Sequence, residues 1–180
     1  MRIIAGEFKG TTLFPVPGEQ TRPTTDFLKE AMFSILADCE VEQVCDLFAG
    51  SGALGLEALS RGAGKAVFVD LSQRAIGTIF KNGDKIRCRD RMTIVKQKTS
   101  TFLRSQTEPF GLIFMDPPYN KDLINPTVEL VYTLGLLCDD GRLVVEHSVR
   151  EPLLETWTPY IITQKRYGES LLTVLGKEPA

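Results

Sequence analysis

A chain of 180 residues with 43% apolar and 24% charged content fits one ordinary globular domain and is not a disordered tail. Its net charge of −2 gives no global basic field for holding nucleic acid. The start, MRIIAGEFKG, has no long apolar run, and Gly, Pro or charge breaks every later one well short of a membrane span. A cytoplasmic protein without a membrane segment is expected.

Residues 1–16 alternate short apolar and polar stretches around Gly6 and Gly10, which predicts a small hairpin ending at the turn-rich PVPGEQ. Residues 1–24 are thus expected to form an N-terminal extension, and residues 25–180 a single compact domain. Thr24 or Thr25 can cap a helix in which Phe27, Leu28, Ala31, Met32, Ile35 and Leu36 recur at helical spacing. From Val41 the pattern becomes strand, glycine-rich turn and helix, repeated. VCDLFAG gives a strand, SGALGLEALSRG a helix closed by Gly62, and KAVFVD the next strand. A basic helix over 72–83, the strand MTIVKQ, the short helix TSTFLRS and the strand FGLIFMD follow. A helix over 122–137 leads to the strand GRLVVEH, and YIITQKRYGESLLTVL reads as two strands meeting near Tyr167-Gly168. This alternation predicts an α/β fold with a mostly parallel sheet covered on both faces and a terminal antiparallel hairpin. Such sheets bind ligands at the carboxyl ends of their strands.

Charge is unevenly spread. Residues 74–104 hold nine Lys/Arg (Arg74, Lys81, Lys85, Arg87, Arg89, Arg91, Lys96, Lys98, Arg104) against only Asp84 and Asp90. The strip suits either a path for phosphates or one solvated helix and its following turn. The four cysteines (Cys39, Cys45, Cys88, Cys138) show no metal-ligand spacing, so no metal site is expected, and reduced thiols fit a reducing compartment.

The first strand runs into Asp46-Leu47-Phe48-Ala49-Gly50-Ser51-Gly52-Ala53-Leu54-Gly55, whose three glycines match the dinucleotide fingerprint literally. A nicotinamide oxidoreductase is therefore one reading. Two carboxylates redirect it: Asp46 before the loop would repel a pyrophosphate and welcome a sulfonium or ammonium. Asp70, ending the next strand, stands where a ribose diol is held, or else caps the helix that begins at Leu71-Ser72. The fourth strand ends in Asp116-Pro117-Pro118-Tyr119. Two prolines make a stiff turn that presents a carboxylate, the Pro117 carbonyl and an aromatic ring around one point. Carboxylate and carbonyl can accept the two hydrogens of a base –NH₂, and Tyr119 can stack on the base. No cysteine adjoins residues 116–119, so no thiol nucleophile stands beside this turn. His147, the one histidine, follows Glu146 at the end of the fifth strand and reads as structural.

This combination resembles the Rossmann-like class I methyltransferases that use S-adenosylmethionine, and D-P-P-Y is similar to the signature of those acting on base amino groups. More narrowly, the chain resembles the bacterial 16S rRNA (guanine-N2)-methyltransferase D family. The resemblance runs nearly the whole length, through RIIAG, RPTTDFLKEAMFSIL, DLFAGSGALGLEALSRGA, FVDLSQRAI, FMDPPY, VVEH and YGES. It implies a seven-stranded sheet with an antiparallel C-terminal strand, and a cofactor surrounded by Asp46, Phe48, Ala49, Gly50, Ser51 and Gly52. It also implies Asp70 and Leu71 at the ribose side, Asp116 beside the cofactor, and Asp116, Pro117 and Tyr119 as the catalytic group. Arg22, Thr24, Pro118 and Tyr119 would meet the guanine. Related enzymes place Asp or Asn near the cofactor adenine where this chain has Lys98-Thr99, so Thr99 or a backbone group is expected there. The implied partner is small-subunit rRNA or its ribonucleoprotein, met by a monomer. An adenine-N6 methyltransferase and a catalytically idle RNA-binding assembly factor are the alternatives.

Overall fold

A computed structural model describes residues 1–18, 26–36 and 41–179. Among these, five helices and seven strands alternate in chain order: α1 (Asp26–Ile35), β1 (Gln43–Leu47), α2 (Ala53–Ser60), β2 (Lys65–Asp70), α3 (Gln73–Lys85), β3 (Met92–Lys96), α4 (Thr99–Arg104), β4 (Phe110–Met115), α5 (Ile124–Thr133), β5 (Leu137–Ser148), β6 (Ile161–Tyr167) and β7 (Ser170–Gly176). Two short 3₁₀ turns, Arg89–Arg91 and Glu155–Tyr160, were not foreseen. The strands form one sheet in the order β3-β2-β1-β4-β5-β7-β6. Strands β1 to β5 pair in parallel, whereas β7 runs antiparallel to both β5 and β6. The sheet is the expected Rossmann-like α/β sandwich with its reversed C-terminal strand.

Alternation along each strand divides the core in two. Val44, Phe68, Leu112, Phe114 and Val144 face one cluster with residues of α1, α2, α3 and the N-terminal segment. Cys45, Val69, Ile113, Met115 and Val145 face the other, with Phe102 and Leu103 of α4 and Val128 and Val131 of α5. Burial on both faces explains why these strands read as near-continuous apolar runs.

The N-terminal segment closes on itself through a single antiparallel bridge between Arg2 and Thr12. It is fastened by buried charge. Glu57 on α2 accepts from the Ile4 and Ala5 amides at 2.8 and 3.0 Å, and pairs with Lys29 Nζ at 3.1 Å and Arg61 Nε at 2.8 Å. Lys29 is itself wholly buried and donates to the Arg2 carbonyl. Burial lowers its pKa, against the pull of Glu57. The boundary expected at residue 24, together with Arg22, Thr24, Thr25 and Cys39, lies outside the described residues.

Helix α5 ends earlier than the pattern suggests, and β5 begins four residues sooner than GRLVVEH. Apolar residues continue through Leu134, Leu136 and Leu137, but Gly135 takes a left-handed φ of 64° and the Leu136 amide donates back to the Val131 carbonyl. That closes the helix and releases Leu137 to pair with Phe110.

Candidate active site

The loop between β1 and α2 turns on strained and permissive residues. Phe48 adopts φ 58°, a conformation side chains rarely take, and Gly52 adopts φ 79° as the residue preceding α2. Gly55 has a different reason: a Cβ there would lie 2.4 Å from the Phe68 ring, so its absence lets α2 press against β2. The Gly55 amide donates to Asp46 Oδ2 at 2.9 Å, tying the end of β1 to the first turn of α2. Asp70 holds the loop from the other side, accepting from the Gly50 amide at 2.9 Å and the Ser72 amide at 2.7 Å. Ser72, not Asp70, caps α3.

These ends open into one cavity of about 1160 Å³, larger than most small-ligand sites. Asp46, Phe48, Ala49, Gly50, Ser51, Asp70, Leu71, Thr99, Asp116, Pro117, Pro118 and Tyr119 all line it. Gly52 is not in the lining, and Arg22 and Thr24 fall outside the described residues. Asp46 is almost fully buried, and its pKa is driven well above the carboxylate range. Burial is the main cause, opposed by the Gly55 N–H and reinforced by the nearby charges of Asp116 and Asp70. Asp46 thus feels both other strand-end carboxylates across this space.

Tyr119 is tied at its tip. Its hydroxyl donates to Glu146 Oε1 at 2.7 Å and lies 2.8 Å from Ser170 Oγ. A phenol has one proton, so Ser170 supplies the second bond. Burial, with Glu146 and Asp116 beside it, pushes the Tyr119 pKa well up, so the ring stays neutral. This anchorage fixes the turn after β4, where Asn120 and Asp122 also take positive φ.

Lys98 joins Thr99 in the lining, and residues not singled out as site residues in the sequence add to it: Glu146 and Ser170 behind Tyr119, Phe27 and Tyr167 at the α1 side, Gln97 after β3, and Met1, Pro15 and Val16 of the N-terminal segment. The strand-end rule that selects Asp46, Asp70 and Asp116 also selects Glu146, at the carboxyl end of β5. His147 does not reach the cavity lining. Its Nδ1 donates to the Glu151 carbonyl and its Nε2 meets Thr173 Oγ1, each at 3.0 Å, and it is fully buried with a lowered pKa. It is a satisfied core histidine.

The basic strip divides. Lys85 donates to the Thr12 carbonyl and lies over the Phe14 ring, and Arg91 donates to the Leu59 and Ala63 carbonyls and pairs with Glu7. Those two fasten the N-terminal segment. Arg74, Lys81, Arg87, Lys96, Lys98 and Arg104 are exposed. Among the described residues no helix is long and apolar enough to cross a membrane, and no cluster of three or more His, Cys, Asp and Glu has metal-binding geometry.

The chain is similar to known proteins over its full extent. Residues 1–176 match the family described as conserved hypothetical protein 95. The ribosomal RNA small subunit methyltransferase D of Escherichia coli strain K12 is 37% identical, over 85% of this chain and 77% of its own. That of Haemophilus influenzae is 35% identical, over 93% and 89%. A solved Escherichia coli structure, the methyltransferase candidate yhhF, superposes with a TM-score of 0.86 at 34% identity, covering 100% of this chain and 99% of that one. With its glycine loop, its acidic strand ends and this breadth of similarity, the chain belongs to the conserved hypothetical protein 95 family, alongside the small-subunit methyltransferase D enzymes.

Proposed function

We propose that this protein transfers a methyl group from S-adenosylmethionine to the exocyclic N2 of a guanine in small-subunit ribosomal RNA, in the cytoplasm. The observation that carries the reading is the meeting, in one cavity, of the loop bounded by Asp46 and Asp70 with the Asp116-Pro117-Pro118-Tyr119 turn. The relatives named for small-subunit rRNA methylation supply the substrate class.

The cavity suits this cofactor chemically. Carboxylates at Asp46, Asp70 and Asp116, gathered in one cavity, favour a ligand with positive charge and disfavour a pyrophosphate. That weighs against a nicotinamide coenzyme. Both Asp70 oxygens already accept backbone amides, and each retains a lone pair for a ribose hydroxyl. Leu71, 60% exposed beside it, offers an apolar face to a purine. Near the adenine edge, Thr99 at the start of α4 and the neighbouring Gln97 stand in for an acid.

When bound, S-adenosylmethionine supplies an electrophilic methyl on sulfur, so the protein's task is mainly positioning. In this reading the Asp116 carboxylate and the Pro117 carbonyl accept the two hydrogens of the base amine. They polarise the nitrogen as positive charge develops on it. Tyr119, held by Glu146 and Ser170, supports the base through its ring. The departing proton goes to Asp116 or to solvent. A base must leave its stack to reach the cavity, which costs least in a loop or single strand.

Calorimetry with S-adenosylhomocysteine and NADH, on the wild type and Asp116→Asn, tests the site. The first ligand is expected to bind both proteins with similar affinity, NADH neither. Turnover by Asp116→Asn is expected to fall about 10²- to 10³-fold. Full turnover by that variant would remove Asp116 from the mechanism, and NADH binding would overturn the cofactor.

A further inference from the structure

Phe27 lies in the first turn of α1 and is 68% exposed, although Leu28, Lys29, Met32 and Phe33 on the same helix are buried. An isolated exposed phenyl is unremarkable on a protein surface. This one is not isolated. Its ring meets Tyr167 edge-on, with centroids 5.9 Å apart and planes at 78°, and both rings line the cavity. Tyr167 ends β6 in register with Ser170, the residue that bonds the Tyr119 hydroxyl. A helix, the terminal hairpin and the turn after β4 thus each bring one aromatic ring to the same opening.

In an edge-on pair, at least one ring keeps both faces clear of the other. Such faces are what an unstacked nucleobase seeks, since every base carries a π-face and stacking tolerates sequence. We propose that Phe27 and Tyr167 form a stacking lip that receives a nucleobase of the RNA substrate and so holds the strand open over the cavity. The inference rests on the RNA-methyltransferase reading and assigns to that site two positioning residues outside the glycine loop and the Asp116–Tyr119 turn. Neither residue belongs to the acidic strand ends or the glycine loop, so the lip acts on RNA engagement and leaves cofactor affinity alone.

The test compares wild type, Phe27→Leu, Phe27→Trp and Tyr167→Leu in methyl transfer to unmodified small ribosomal subunits, with S-adenosylhomocysteine affinity measured in parallel. Phe27→Leu and Tyr167→Leu are expected to raise KM for the particle about tenfold. Cofactor affinity is expected to stay unchanged, and Phe27→Trp to perform like the wild type. Wild-type KM in Phe27→Leu would overturn the lip. So would a loss that Phe27→Trp fails to repair, which marks a shape contact with protein and not a stack on a base. A wild-type enzyme that binds cofactor yet methylates no subunit contradicts the functional reading itself, and the lip falls with it.

Discussion

Tyr119 offers two separable properties, a hydroxyl and a ring. The hydroxyl joins Glu146 to Ser170, while the ring belongs to the turn that carries Asp116. Tyr119→Phe leaves the buried Glu146 carboxylate without that donor, which costs about 1–3 kcal/mol. It is expected to lower the melting temperature and reduce turnover severalfold. Tyr119→Ala also loses the ring and is expected to raise KM for RNA about tenfold beyond that. Steady-state kinetics on both variants separates the parts, and equal losses would assign the whole effect to the hydroxyl. Asp46 makes a different prediction. Its carboxyl is raised chiefly by burial, so ionising it in the empty site is costly and the folded state holds its proton more tightly than the unfolded chain does. A cationic ligand beside it favours the ionised form. Binding of S-adenosylmethionine is therefore expected to release a proton and to tighten as pH rises, until Asp46 is ionised without it. Calorimetry in buffers of contrasting ionisation enthalpy measures that release; pH-independent binding without it would contradict the role.

At the scale of elements, the most consequential contact is the one between α2 and the N-terminal segment. Glu57 satisfies two backbone amides and two cations while fully buried. Removing one partner of a buried pair strands the other, at a cost of about 3–5 kcal/mol. Glu57→Ala is expected to lose that much in denaturant unfolding and to speed hydrogen exchange at Ile4 and Ala5. Unchanged exchange at those amides would show that the segment is held by its apolar residues, Ile3 and Leu13, instead. The segment matters to the site because Met1, Pro15 and Val16 form part of the cavity wall.

For the molecule as a whole, the sheet and the part of the cavity lining at the strand ends were legible because both follow local rules. Period and turn residues place the strands, and strands of a parallel sheet deliver their last residues to one edge, which brings Asp46, Asp70 and Asp116 together across 70 positions of sequence. The same rule reaches Glu146 at the carboxyl end of β5. Phe27, Tyr167 and the N-terminal wall were not legible in this way. Their placement depends on how α1, the terminal hairpin and the first residues pack around the sheet, which no local pattern encodes. Boundaries failed where an apolar run crossed a turn, as at Leu134-Gly135-Leu136. The charge distribution also resolves only in three dimensions: carboxylates gather in the cavity, while Lys85 and Arg91 are used internally and the other exposed basic residues spread over α3, β3, α4 and the turns between them.

The most direct test is methyl transfer from labelled S-adenosylmethionine to unmodified small ribosomal subunits and to RNA extracted from them, with the product nucleosides identified. N2-methylguanosine formed on the particle, and less readily on naked RNA given the chain's net charge of −2, is the expected result. Methylated adenine would contradict the assigned base, and cofactor binding with no transfer to either form would contradict the substrate.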